Sequence, residues 1–315
     1  ARANATISMG AGAAIVTGPL ITKAVMQRAH PKYCYLVSVG LAALSLLNLV
    51  INVEESLPKE KRQPLVLTDM QPLGFVQLMR SRVLNRLMFI TGFQTFTEGR
   101  NVTDVLSIYL LNDIKWSWNQ INNYVSAYGT SLILSGLTVK PLLKAMGMIG
   151  FTTFSNMCNI SFLLATAWVP PFSIFPASVS LWLGLIFGAL GARKRDAAES
   201  LIMKIGAEEG FGNGFVSGAI MNFRAVINIL GPLLFGSIYA WGSKRNRSNL
   251  VFLAGVITIL VAEASMRSLA PGDMGLDDKG HLLKDESDQV SGSTATSRGS
   301  SSQQPVVRGR PSSRS

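Results

Sequence analysis

Eight predominantly apolar runs dominate this chain, at 6–26, 33–53, 84–111, 120–143, 149–168, 177–205, 211–241 and 249–269. Each is near or above the roughly 20 residues that cross a ~30 Å hydrocarbon layer at 1.5 Å per residue. Inside lipid only helices and closed barrels satisfy their own backbone, and runs this long are helical. The chain therefore reads as an all-α polytopic membrane helix bundle with about eight transmembrane helices. Composition agrees: 15% of residues are charged, against about 25% in soluble domains.

The polar stretch 54–82 separates two of these runs from the other six. It holds Pro58, Pro64 and Pro72 with Lys59, Lys61, Arg62, Arg80 and Arg82, and a short surface helix is expected near 73–79. The chain thus divides into 1–53, a linker 54–82, a helical block 83–270 and a Ser/Gly/Arg-rich tail 271–315 expected to be disordered. Placing the linker and tail in the cytoplasm puts Lys140, Lys144 and Lys204 inside as well, in keeping with the Lys/Arg bias of cytoplasmic loops. That topology leaves Lys23, Arg28, Lys32, Lys115, Lys244, Arg245 and Arg247 outside, with the sequon Asn246-Arg247-Ser248 close to the membrane. The net charge of +11 follows from loops and tail. It does not predict a nucleic-acid partner, because the basic residues lie between apolar runs rather than on one surface; the partner expected is the lipid bilayer. Cys34, Cys158, His30 and His281 are scattered, so neither a disulfide framework nor a metal site is expected. The first residues, ARANAT, lack a Met and a signal-like start, and further N-terminal sequence is expected.

A short echo relates the two helical blocks. Gly18-Pro19-Leu20-Ile21 lies in the first run and Gly231-Pro232-Leu233-Leu234 in the seventh, six helices later. Gly-Pro pairs within a span favour close helix packing, and a six-helix period is that of transporters built from two parallel repeats. On this count the first two runs are helices five and six of twelve. The residues carrying a family resemblance are Glu98-Gly99, Tyr109-Leu110, Glu208-Glu209, Gly212, Gly218, Phe223-Arg224, Asn228, Gly231-Pro232-Leu233-Leu234-Phe235-Gly236 and Ile238-Tyr239. With them the chain resembles the major facilitator superfamily, in its tetracycline-resistance-like branch that includes the hippocampus-abundant-transcript proteins. The resemblance extends from about residue 5 to 269. It implies a partial major facilitator fold and alternating-access transport of a small polar or amphiphilic organic solute. Ala14 and Thr22-Lys23 depart from the fifth-helix antiporter pattern, and 141–147 keeps only a remnant of the gating motif. Antiport and the coupling ion, with protons one candidate, stay open.

Polar residues on the apolar runs mark a path. At 100° per residue, Asn213, Ser217, Arg224, Asn228 and Gly231 share one sector and Asn222 lies opposite. Thr91, Gln94, Glu98 and Asn101 share a face of the third run, with Arg100 and Asp104 as an i,i+4 pair elsewhere. Asn119, Asn122, Asn123, Ser126 and Thr130 line one side of the fourth. Glu98, Gln94, Asn101, Asn122, Asn123, Ser126, Arg224 and Asn228 are the cavity candidates. Glu98 and Arg224 have a second reading as each other's partner in a structural bridge, since intramembrane charges serve both ends. In the sixth run Gly188, Gly191, Arg195 and Glu199 share a face. There Arg193, Arg195, Asp196 and Glu199, with Lys194, form either a cytoplasmic gate network reaching water or an attractor for an anion. No nucleophile–base pair or metal cluster is visible, so neither an enzyme nor a cofactor is expected. The alternative to transport is a non-transporting scaffold, receptor or truncated copy on the same fold.

Overall fold

The computed structural model describes residues 2–30, 32–52 and 73–277. Most of the linker, the tail from 278 and His281 lie outside these residues, as does the side chain of Arg100, the expected partner of Asp104. Ten helices are described: α1 (Arg2–Arg28), α2 (Lys32–Asn52), α3 (Phe75–Leu78), α4 (Arg82–Phe96), α5 (Arg100–Asn112), α6 (Trp118–Ala167), α7 (Ala177–Gly191), α8 (Asp196–Glu208), α9 (Asn213–Ser243) and α10 (Leu250–Arg267). No strand occurs among the described residues. Four helical stretches are long and apolar enough to cross a bilayer: α2, Trp118–Ile174, α9 and α10.

The long helix α6 is a hairpin. Gly147 turns it with φ 70° and ψ −178°, a conformation open to a residue without Cβ. Tyr124 Oη donates to Leu181 O at 3.5 Å, and the adjacent Ser180 Oγ donates to Ala165 O at 2.8 Å. Tyr124 and Ala165 would stand about 60 Å apart on a straight helix, so the arms 118–146 and 148–167 run back along each other. They correspond to the separate runs read at 120–143 and 149–168. Ser117 starts the first arm with a capping box, its Oγ facing Gln120 N and its N–H bonded to Gln120 Oε1 at 2.8 Å.

Two runs read as continuous helices are broken. The run 84–111 becomes α4 and α5, with Gly99 at φ 55° between them. The run 177–205 becomes α7 and α8, separated by a turn over residues 192–195. Non-helical backbone at membrane depth is tolerated where it is buried in protein or lines a cavity, and here amides repair the freed carbonyls. Asn101 Nδ2 donates to Thr95 O at 3.0 Å, and Gln94 Nε2 to Lys194 O at 3.1 Å. The two breaks therefore face one another.

Above and below this polar level lie two apolar cores. One joins Leu84, Leu87 and Met88 of α4 to Leu201 and Ile202 of α8 and Met266 of α10. The other joins Leu106 and Leu110 of α5, Leu163 of α6, Leu181 of α7 and Phe252 of α10. The helix expected on the surface near 73–79 is the single turn α3, but its Phe75 and Leu78 are buried in the first core, with Phe75 5.3 Å from the Phe223 ring. Helix α1 crosses the first arm of α6 on reciprocal glycines. A Cβ at Gly12 would lie 2.7 Å from Ile133 Cγ1, and one at Gly129 2.9 Å from Val16 Cγ2. Helix α2 has no buried residue.

The ends of the bundle differ chemically. All five tryptophans, Trp116, Trp118, Trp168, Trp182 and Trp241, lie at helix ends on one side. There Trp116 and Trp182 both meet Tyr124 edge-to-face, with ring centroids 5.5 Å apart, the placement expected of an interfacial aromatic belt. At the other end Arg86 Nη1 donates to Ser268 O at 2.9 Å, Arg82 opens α4, Lys140 and Lys144 precede the Gly147 turn and Lys204 lies in the second half of α8. On the tryptophan side Asp113 accepts from Tyr239 Oη at 2.8 Å and from Ser248 Oγ. The hydroxyl of the Asn246-Arg247-Ser248 sequon is thus buried and engaged.

Candidate functional site

Where the two helix breaks meet, side chains from both breaks and from α8 and α9 form an ionic cluster. Glu98, at the α4–α5 break, lies 3.1 Å from Lys194 Nζ and 2.7 Å from Arg195 Nη1, both at the α7–α8 break. Arg195 Nε is 3.4 Å from Glu199 Oε1 in α8, and Arg224 Nη1 of α9 is 3.7 Å from the same oxygen. Lys194 is 1% exposed, so its charge depends on Glu98; an uncompensated charge at membrane depth costs about 3 kcal/mol on insertion scales. With Arg193 and Asp196 the group counts four basic and three acidic residues.

The cluster does not consume all its hydrogen-bonding capacity. Glu98 Oε1 and the Nε atoms of Arg193, Arg195 and Arg224 are buried without an aligned hydrogen bond. For Glu98 Oε1 the Lys194 contact is an ion contact rather than an aligned bond. Thr95, Glu98, Gly99, Arg195, Arg224 and Asn228 line a cavity of about 220 Å³. On its far side Arg224 also lines a second cavity of about 360 Å³, with Glu199, Ser200 and Ser217. A third, of about 300 Å³, is lined mainly by apolar residues of α5 and α6 and by Ile15 of α1.

The expected site residues fall into three groups. Glu98, Arg195, Glu199, Arg224 and Asn228 come together around the cavities, with Ser217 on the same side of α9. Asp196 and Arg193 flank the break, both half-buried. Gln94 and Asn101 are buried and committed to holding the breaks, and Asn101 Nδ2 also lies 3.4 Å from Asn228 Oδ1. The α6 stripe is elsewhere: Asn123 is exposed, Asn122 and Ser126 are half-buried, and Tyr124, Val125 and Tyr128 line the third cavity instead.

Several geometric expectations need correction. Glu98 pairs directly with Lys194 and Arg195, and Arg224 with Glu199, so no direct Glu98–Arg224 bridge forms. The shared face of Gln94, Glu98 and Asn101 assumed a continuous helix, which the Gly99 break interrupts. Gly184, Gly188 and Gly191 pack on Ala165, Phe162 and Asn159 of α6, whereas Arg195 and Glu199, beyond the break, turn toward α9. The i,i+4 Arg195–Glu199 contact itself is present. The two Gly-Pro pairs differ: a Cβ at Gly231 would overlap the Asn101 side chain, while one at Gly18 would meet nothing within 4 Å. Pro19 and Pro232 both lie inside unbroken helices.

A second polar network escaped the sequence reading. Glu263 of α10, 4% exposed, accepts from Thr153 Oγ1, Asn156 Nδ2 and Arg267 Nε, each at 2.9 Å. Asn156 Oδ1 in turn accepts from Gln94 Nε2 at 2.9 Å, tying this network to the helix breaks. The signal for Glu263 was an acid inside the last apolar run, four residues before Arg267.

No family model, curated protein or solved structure matches the chain. By its fold it is an all-helical protein, among the described residues, with four helices of bilayer-crossing length and hydropathy. Its cavity-lining ionic cluster defines the site.

Proposed function

We propose that this chain is the C-terminal portion of a major-facilitator-type secondary transporter that moves a small polar or amphiphilic organic solute by alternating access. In this reading α1 and α2 close the first half, and 73–277 supplies most of the second. The observation that supports it is a buried ion-pair cluster at two opposed helix breaks, bordering cavities between α4–α5, α8 and α9. Discontinuous helices around a central polar site are how transporters expose backbone and charge to a solute. Solute entering beside Asn228 competes with Glu199 for Arg224, whose 3.7 Å contact is the loosest in the cluster. Rocking of one half against the other then changes which side the cavity opens to. The tryptophan end faces outward and the basic end, with the tail, faces the cytoplasm.

Proton coupling enters through Glu98. A proton on its carboxyl weakens its hold on Lys194 and Arg195, leaves Arg195 to Glu199 and adds one positive charge to the cluster, which an anionic solute or loss of the Lys194 proton offsets. The test is solute uptake by proteoliposomes of the complete protein under an imposed pH gradient. Wild type is expected to follow the gradient and Glu98→Gln to lose that dependence. Gradient-dependent uptake by the variant would refute the role of Glu98, and failure of the complete protein to take up any solute would refute transport.

A further inference from the structure

We infer that the site takes an amphiphilic organic monoanion, its head held by Arg224 and Asn228 and its apolar body lying along α5; this names the cargo of the transport reading and rests on it for the word cargo alone. The head position follows from how the charges are spent. Glu98 is already matched by Lys194 and Arg195 at 3.1 and 2.7 Å. Arg224 has only the 3.7 Å contact with Glu199, and its Nε is buried without a hydrogen-bond partner. An arginine with free donors beside an amide matches the planar, two-oxygen geometry of a carboxylate.

The body position follows from the cavities. The polar cavity and the apolar one both include Gly99, where a Cβ would meet no atom within 4 Å, so the two spaces meet at the α4–α5 break. Thr97 lines the apolar cavity and Glu98 the polar one, so the same short segment walls both. From Gly99 the apolar cavity runs along α5 to Leu110, roughly 16 Å at 1.5 Å per residue. Val102, Leu106, Val125 and Phe162 supply its apolar walls. At about 300 Å³ it is at the lower end of ligand-sized pockets. Each methylene buried there is worth about fourfold in affinity. Asp104, about midway between Gly99 and Leu110, also lines it and disfavours a second carboxylate along the body, so one charge per molecule is accepted.

The experiment uses radiolabelled decanoate, short enough for the cavity, with the protein in phosphatidylcholine nanodiscs, empty nanodiscs correcting for lipid partitioning. Its primary amide and a trimethylammonium analogue of the same length serve as neutral and cationic probes. Saturable binding of the carboxylate is expected, with the amide at least tenfold weaker. Arg224→Gln should weaken the carboxylate about tenfold and leave the amide unchanged. Val125→Trp, which fills the apolar cavity without touching the cluster, should weaken both and serves if Arg224→Gln does not fold. Equal or tighter binding of the amide or the ammonium probe, or full carboxylate affinity in Val125→Trp, would overturn the inference. Arg224-dependent carboxylate binding without uptake would overturn transport and leave this site standing. Solute uptake without carboxylate binding would do the reverse.

Discussion

Glu98 and Glu263 are both carboxylates inside the bundle, and they are held in opposite ways. Glu263 sits in an unbroken helix, is 4% exposed and accepts three hydrogen bonds of 2.9 Å, two of them from α6. Glu98 sits at a helix break, borders a cavity, and faces two cations with one oxygen lacking an aligned bond. A fully satisfied buried network rigidifies its surroundings, and a partly satisfied one has alternative arrangements of similar energy. The difference separates an element that fixes the positions of α4, α6 and α10 from one that can exchange partners.

That comparison is breakable. The largest effect is expected from Glu98→Gln, which strands Lys194 at 1% exposure; losing one member of a buried pair costs about 3–5 kcal/mol. Adding Lys194→Met should restore most of the stability, as read by unfolding in detergent. Glu263→Ala should cost about 2–4 kcal/mol by leaving Thr153 and Asn156 without their acceptor. Neutralising Arg267 in that background should not rescue it, because Arg267 is 68% exposed and turns to water. Rescue there would make the two carboxylates alike.

Smaller effects test the packing around them. Gly231→Ala drives a methyl into Asn101 and is expected to cost about 1–3 kcal/mol. Gly18→Ala, which meets nothing within 4 Å, should stabilise α1 by up to about 1 kcal/mol. Equal costs at both positions would show that the Gly-Pro echo reflects equivalent packing. The smallest change is Lys204→Ala, which removes the partly exposed contact with Glu208 at 3.6 Å and should shift stability by less than about 0.5 kcal/mol.

Much of the architecture could be read from hydropathy, because length and apolarity alone identify helices such as α2, α9 and α10. The breaks at Gly99 and at residues 192–195 could not. Their flanking residues keep helical periodicity, and what opens them is distant: Gln94 meets Lys194 O, and Asn101 meets both Thr95 O and Gly231. Faces computed for a continuous helix therefore do not carry across the Gly99 break. The alternative pairing of Glu98 with Arg224 rested on how often buried charges pair, and Lys194 and Arg195 take that place. Arg224 and Asn228 were legible because α9 is unbroken and its angular sector holds. Glu263 stood out as an acid inside the last apolar run, but its pairing with Asn156 was not legible, because their contact joins residues 107 apart in sequence.

The central claim is that the Glu98 cluster works on a solute, whereas the Glu263 network only holds the bundle. It is tested by measuring uptake and thermal stability on one preparation of the complete protein carrying Glu98→Gln with Lys194→Met. The account predicts a melting temperature near wild type with uptake abolished. A stable double variant that still transports at the wild-type rate would contradict it.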